Sequence, residues 1–284
     1  MFIYLFLLLS QVSVIKISET SLPQSIHRIV SLSPTMTEIV CALGGCDTLV
    51  GVTRFDDYPE VVKLIPKVGG VIDPSFEVIH KLKPDLVLLS SSAASLKIMA
   101  GLARLNVPYL AATDTSLEDY DPLVYAIANT LGVAIRGQAL VQEFHRSLDV
   151  IGQMYLISNK HAVPSVLMVY GHHPLVVAGN GSFGAQLLRQ LGLKNAYQGA
   201  KNYPVLNVET LLLQHPEWII DTEMTGQSLQ EDSLYKPHLE KLIQQGTLFV
   251  HSKDAALLRL GPRLPEALKR LSLQMAELRS KNKK

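Results

Sequence analysis

Tryptophan occurs once and cysteine twice in 284 residues, and neither sign of charge is in excess: 26 Lys+Arg face 25 Asp+Glu, a net charge of +1. That balance excludes the basic stripe of a nucleic-acid-binding domain, so no polyanion partner is expected. Low-complexity tracts are missing apart from the Lys-rich end KNKK, and 48% hydrophobic against 18% charged residues describes a globular chain with a full core. Signatures of catalysis are missing too. There is no G-x-S-x-G elbow, no G-x-x-x-x-G-K-[ST] loop and no H-E-x-x-H pair. The G-N-G run at Gly179 to Gly181 lacks the third glycine of a nucleotide loop and reads as a turn.

Long apolar runs are confined to the opening MFIYLFLLLSQVSVI, which is broken by Ser10 and Gln11 and is short for a bilayer span. It reads as the apolar part of a secretory signal over residues 1–22, although no Lys or Arg precedes it and no small-x-small cleavage site is evident before Ser21. A buried first strand is the alternative. No cysteine lies beside it to take a lipid. Cys41 and Cys46 stand five apart across an expected helix end, where the two side chains should diverge, so the expectation is two free thiols. Further ligands for a metal pair are not evident nearby.

What is present is alternation. HRIVSLSPTMTEIVCALG reads as a short strand, a Ser-Pro turn and a helix with Ile39, Val40 and Leu43 on one side. LVGVT, PDLVLLSSS and VPYLAATDTS follow as strands, with helices expected over 94–105 and 117–131. The second half repeats the rhythm with PSVLMVYGHHP, SFGAQLLRQLG, VETLLLQHPEWIIDTE, a helix ending near Gln245, TLFVHS and a last helix over 265–279. Strand–helix alternation argues for an α/β protein with parallel sheets covered on both faces, and the length fits two domains. Between the halves, Leu140, Val141, Phe144, Leu148, Ile151, Met154 and Tyr155 keep helical spacing, which predicts one connecting helix over about 136–158. The expected division is therefore an N-terminal lobe over 27–134, a connector over 135–159 and a C-terminal lobe over 160–280.

One unit occurs twice. FEVIHKLKPDLVLLS from Phe76 aligns without a gap on VETLLLQHPEWIID from Val208, placing Glu77 on Glu209, Pro84 on Pro216, Asp85 on Glu217 and Val87 on Ile219. Each copy reads as an amphipathic helix, a proline-bounded turn and a buried strand. In open parallel sheets the ligand crevice lies beyond the carboxyl ends of the strands, so the polar strand-end segments are the candidate ligand contacts. In the first half these are Ser33, Pro34 and Thr35; Arg54, Phe55 and Tyr58; and Ser91 with Ser92. The second half adds His172 and His173, Asn180, Tyr203, Glu223 and Arg259. Ser33-Pro34-Thr35 also reads as a helix start with Ser33 as cap, and both roles can hold together. His172 and His173 read either as a metal or haem ligand or as hydrogen-bonded structural residues. Glu77 and Glu209 offer two matched anionic points, suited to basic residues on a two-fold symmetric partner.

These residues support a family resemblance. RIVSLSPTMTEIVCALGGCDTLVGVTRFDDYP, KVGGVIDPSFEVIHKLKPDLVLL, AGNGSFGAQLLRQLGLKNAY, YPVLNVETLLLQHPEWII and LLRLGPRLPEALKRL, in order over about 27–275, resemble the periplasmic substrate-binding proteins of ABC importers for cobalamin, ferric siderophores and haem. The resemblance implies two Rossmann-like lobes joined by a rigid helix, a ligand held between them, and periplasmic delivery to a permease dimer with its ATPase. It implies that Glu77 and Glu209 dock on arginine pockets of the permease and that Phe55 packs on the ligand. Cobalamin or a related corrinoid is the expected ligand, although Val71 and Tyr203 stand where cobalamin-binding members often carry tryptophan. A ferric siderophore, held by Arg54 and Arg259, or haem, with Tyr58, His172 or His173 as axial ligand, is the alternative. No resident cofactor is expected beyond the cobalt or iron of the ligand. An enzyme of the nitrogenase or chelatase type would need a convergent acid, base or cofactor motif, which the sequence does not offer.

Overall fold

A computed structural model describes residues 15–18, 25–158, 163–224 and 227–282, with the side chains of 154–158 left aside. The apolar positions expected at Met154 and Tyr155, and most of the 1–22 leader, fall outside the described side chains or residues. The chain divides into two compact units: one runs to Asp114 and resumes over Glu118–Gly137, and the other comprises Thr115–Leu117 and the chain from Gln138 onward.

In chain order the first unit holds β1 (Ile15–Ile17), β2 (Ile29–Ser31), α1 (Pro34–Ala42), β3 (Leu49–Gly51), α2 (Phe76–Leu82), β4 (Leu86–Ser90), α3 (Leu96–Arg104), β5 (Tyr109–Ala112) and α4 (Tyr120–Thr130). Its sheet has the order β1-β5-β4-β2-β3, and β5, β4, β2 and β3 are mutually parallel. Leu86 to Leu89 are all buried, as a strand covered on both faces requires. Val30, Leu32, Val87, Leu89 and Ala111 pack with Ile79 of α2 and with Ile98, Met99 and Leu102 of α3.

The sheet is not wholly parallel. β1 pairs antiparallel to β5, Ile15 opposite Ala112 and Ile17 opposite Leu110, and Ser18 continues the contact through its N–H to the Tyr109 carbonyl at 3.0 Å. These residues lie inside the segment expected as a leader, and all three strand residues are exposed rather than buried. A three-residue edge strand carries no usable period, so the sequence pattern does not distinguish it from the tail of an apolar leader.

The second unit takes most of α5 (Ala134–Ser158), followed by β6 (Ser165–His172), β7 (Leu175–Val177), α6 (Phe183–Gln190), β8 (Lys194–Asn195), β9 (Val205–Leu206), α7 (Val208–Leu213), β10 (Trp218–Asp221), α8 (Lys236–Gln244), β11 (Leu248–His251) and α9 (Leu264–Lys281). β10 lies between β6 and β11, parallel to both. The other edge of β6 is shared by β8, parallel, and β7, antiparallel, and β9 pairs antiparallel to β7. Both sheets are therefore mixed where fully parallel ones are expected. The turn after β6 reverses the chain into β7 at once, leaving no length for the crossover that a parallel neighbour requires. Val141, Phe144, Leu148 and Ile151 form the buried stripe of α5, which begins two residues before the expected start. No described helix is long and apolar enough to cross a membrane.

The two thiols expected to be free are joined: Cys41 and Cys46 form a disulfide with their Cα atoms 4.2 Å apart. The reason is the end of α1. Gly44, at φ +83°, donates to the Cys41 carbonyl and Gly45 to that of Val40, so the chain doubles back and returns Cys46 to Cys41 instead of carrying it away.

The repeated unit is reproduced down to single hydrogen bonds. Each helix is capped by its preceding residue, Ser75 accepting from the Val78 N–H and Asn207 from that of Thr210. Beyond each helix a residue enters the left-handed region directly before proline, Lys83 at φ 47° and His215 at φ 43°. Then a carboxylate ties the new strand to its neighbour. Asp85 accepts from the N–H groups of His27 and Arg28, both at 2.9 Å, and Glu217 accepts from that of Ser165 at 3.1 Å. A side chain with a Cβ resists that conformation, so Lys83→Gly and His215→Gly should each stabilise their unit, by about 1 kcal/mol. Chemical denaturation of the two variants measures this, and opposite signs would show that the turns are not equivalent.

Candidate functional site

The first unit gathers its polar groups at the carboxyl ends of β2, β3, β4 and β5. Ser33, buried, caps α1 by accepting from the Met36 N–H at 3.4 Å and donates its hydroxyl to Asp114 at 3.2 Å. Ser90, the last residue of β4, donates to the same carboxylate oxygen at 2.6 Å. Three strand ends are thus tied through Asp114. Pro34 opens the helix and Thr35 is buried behind it, so this group is built into the fold as a helix start. Ser91 bonds through its N–H to the Ala112 carbonyl, and Ser92 forms a reciprocal turn with Ser95.

The second cluster follows β3. Arg54 is held by Asp73 through bonds of 3.0 and 3.1 Å, and its guanidinium lies over the Phe55 ring, 4.9 Å from the centroid. Phe55 remains 51% exposed and Tyr58 46%, so two aromatic faces reach solvent from a loop whose own cation is already paired. Asp73 lies within the KVGGVIDPS stretch, but nothing in the sequence pairs it with Arg54. Only the return of the chain through Gly69 and Gly70 brings it to Arg54, and a Cβ at Gly70 would collide with both the Asp73 carboxylate and the Arg54 guanidinium.

In the second unit the histidines part company. His172 is buried and bonds through Nε2 to Asp221 at 2.9 Å, while Asp221 also accepts from the N–H groups of Leu229 and Glu223. His173 is exposed and bonds through Nε2 to Asp232 at 2.6 Å. Burial raises the Asp232 carboxyl, but bonds from the Leu234 N–H, from His173 and from the Tyr235 N–H together outweigh it and hold the carboxyl below its ordinary value. Glu223 follows β10, and its carboxylate comes near Gly171. Asn180 and Tyr203 form a separate group. Asn180 accepts from the Asn195 side chain at 3.3 Å, and Tyr203, 52% exposed, lies with its ring centroid 5.7 Å from that of Tyr170. Burial and the neighbouring Tyr203 raise the Tyr170 phenol above its ordinary value. Arg259 closes the short turn Ala255–Leu258, bonding through its N–H to the Ala256 carbonyl.

Glu77 and Glu209 are exposed in the first turns of α2 and α7. Among the described residues no group of three or more His, Cys, Asp or Glu stands close enough to hold a metal ion. A cavity of about 430 Å³ at the amino ends of β10 and β11, with Glu217, Trp218 and Arg279 in its wall, contains none of the expected ligand contacts.

Asp114 generates a pH dependence. Burial raises its carboxyl above the ordinary value of 3.8 more than the Ser90 and Ser33 hydroxyls lower it, so the native chain holds this proton to higher pH than the unfolded one. Its stabilising contribution is therefore complete below about 3.8 and is lost as pH rises through the raised native value. Asp114→Asn, which keeps an acceptor for both serines, should melt at or above the parent temperature at pH 7, with the difference shrinking toward pH 4. Thermal denaturation across that range checks this, and a variant much weaker at pH 7 contradicts it.

With this geometry in view, comparison with known proteins gives one family. A family model described as periplasmic binding protein matches residues 29–248. A vitamin B12-binding protein of Vibrio vulnificus (strain YJ016) is 24% identical over 220 residues, 76% of this chain and 78% of that protein. YvrC of Bacillus subtilis (strain 168), an uncharacterized ABC transporter substrate-binding lipoprotein, is 30% identical over 200 residues, 69% of this chain and 63% of that one. The solved structure of the periplasmic heme-binding protein RhuT from Roseiflexus sp. RS-1, in apo form, is similar with a TM-score of 0.76 and 25% identity, covering 89% of this chain and 99% of that one.

Proposed function

The chain belongs to the periplasmic binding protein family, and on that premise we propose that it is the exported solute receptor of an ABC importer and that its ligand is cobalamin or a related corrinoid. The family is one of binding proteins, not enzymes, which removes the nitrogenase-type and chelatase-type alternative. Export to the periplasm accords with the Cys41–Cys46 disulfide, a bond that persists in oxidising compartments.

One observation carries the choice of ligand: Phe55 offers half-exposed aromatic surface, and the guanidinium beside it is already paired with Asp73. Such a surface suits the apolar face of a large ring without strong negative charge. Arg54 is correspondingly less suited to an anionic siderophore than its sequence position implies. Haem is the second reading, favoured by the exposed phenols of Tyr58 and Tyr203, since both imidazoles of His172 and His173 are bonded to carboxylates.

Titration of the purified protein with cyanocobalamin, haemin and a ferric siderophore, followed by absorbance, separates these readings. Saturable cyanocobalamin binding is expected, weakened about tenfold or more by Phe55→Ala, as for a central aromatic contact. A haemin spectrum abolished by Tyr58→Phe or Tyr203→Phe would transfer the assignment to haem, and binding of none of the three would reject the family of ligands.

The partner follows from the repeat. Two exposed glutamates at matching positions of the equivalent helices α2 and α7 are suited to basic sites on a two-fold symmetric permease dimer that works with its ATPase. Glu77→Lys combined with Glu209→Lys should leave cyanocobalamin affinity within about twofold while abolishing receptor-stimulated ATPase activity, because like charges across an interface cost several kcal/mol. Stimulation at the parental level would refute the docking role.

A further inference from the structure

Phe55 poses a problem of its own. A side chain 51% exposed gains little from packing, yet a ligand-facing ring must be held in place to avoid losing side-chain and loop entropy on binding. The holding is done from beneath. Asp56 turns inward and is only 4% exposed, and its Oδ2 accepts from the Thr53 N–H at 2.8 Å and from the Thr53 hydroxyl at 2.5 Å. The same hydroxyl, its proton given to Asp56, accepts from the Phe55 N–H at 3.1 Å. Thr53 is fully buried, so this relay runs from the Phe55 backbone into the core without passing through water.

The remaining groups around Asp56 fit the same purpose. Its own N–H donates to the Thr53 carbonyl at 3.3 Å, and its carbonyl accepts from Lys67 Nζ at 3.4 Å, a lysine that also donates to the Val62 carbonyl at 3.0 Å. Thr37 of α1, buried, faces the carboxyl closely enough to lower its pKa, yet outside hydrogen-bond geometry. Burial outweighs that effect and the bonds from Thr53, leaving the carboxyl above its ordinary value, the sign of a group kept in place at a cost.

We propose that Asp56, acting through the Thr53 hydroxyl, is the positioning residue for Phe55, fixing the backbone from which that ring meets the ligand. This rests on the reading of Phe55 as a ligand contact, and two measurements keep the two claims apart. The first needs no ligand. Amide hydrogen exchange at Phe55 should be at least tenfold faster in Thr53→Val and in Asp56→Ala than in the parent, with Thr53→Ser restoring parental protection and the β4 amides unchanged in all three. A Phe55 amide equally protected in Thr53→Val, the variant that keeps side-chain shape, overturns the proposal whatever the ligand is.

The second measurement is a double-mutant cycle with cyanocobalamin as probe. Asp56→Ala should weaken binding at least fivefold in the parent background and less than twofold in the Phe55→Ala background, because the positioned ring is already gone. Full loss in both backgrounds would mean that Asp56 acts elsewhere and overturns the proposal. If Phe55→Ala leaves cyanocobalamin affinity unchanged, the ligand reading fails, and the exchange result alone decides whether Asp56 sets the Phe55 backbone.

Discussion

A carboxylate at the head of a buried strand, accepting from the first N–H groups of the strand beside it, is the constraint on which both units rest. A parallel pair has no hairpin to fix its register, so the entry point of each strand must be pinned by other means. Asp85 and Glu217 do this at the same place in each copy, immediately after a left-handed residue and a proline. With the entry fixed, Val87 and Leu89, or Ile219 in the other unit, pack in the core of their unit, and the ends of β4 and β5, like those of β10 and β11, fall level with one another.

Level strand ends bring polar side chains into the partly buried rim, and each unit meets the resulting desolvation with hydrogen bonds. Asp114 takes two serine hydroxyls, Asp56 takes the Thr53 N–H and hydroxyl, and Asp221 takes His172 with two N–H groups. These carboxylates are internal fastenings. Phe55 and Tyr58 in the first unit and Tyr203 in the second are left about half-exposed.

Sequence reading marked polar residues in the strand-end segments and left their carboxylate partners unread. Ser33, Arg54, His172 and His173 carry chemistry that can reach a ligand, and each is bonded to a carboxylate. The partners Asp73 and Asp232 lie 19 and 59 residues away, with no motif linking them to the residues they hold. Cys41 and Cys46 show the same limit at short range, because the outcome turned on the positive φ of Gly44 rather than on the spacing of five.

The amino-acid sequence by itself determined the α/β alternation, the long helix α5 and the repeated helix–turn–strand unit, because periodicity, capping residues and proline act within a few residues of where they stand. Tertiary structure decided the antiparallel strands β1, β7 and β9, the disulfide, and which polar side chains face inward. Each of those turns on strands of only two or three residues or on single side chains, too short to carry a pattern, and is set by the turns and packing that bring them alongside.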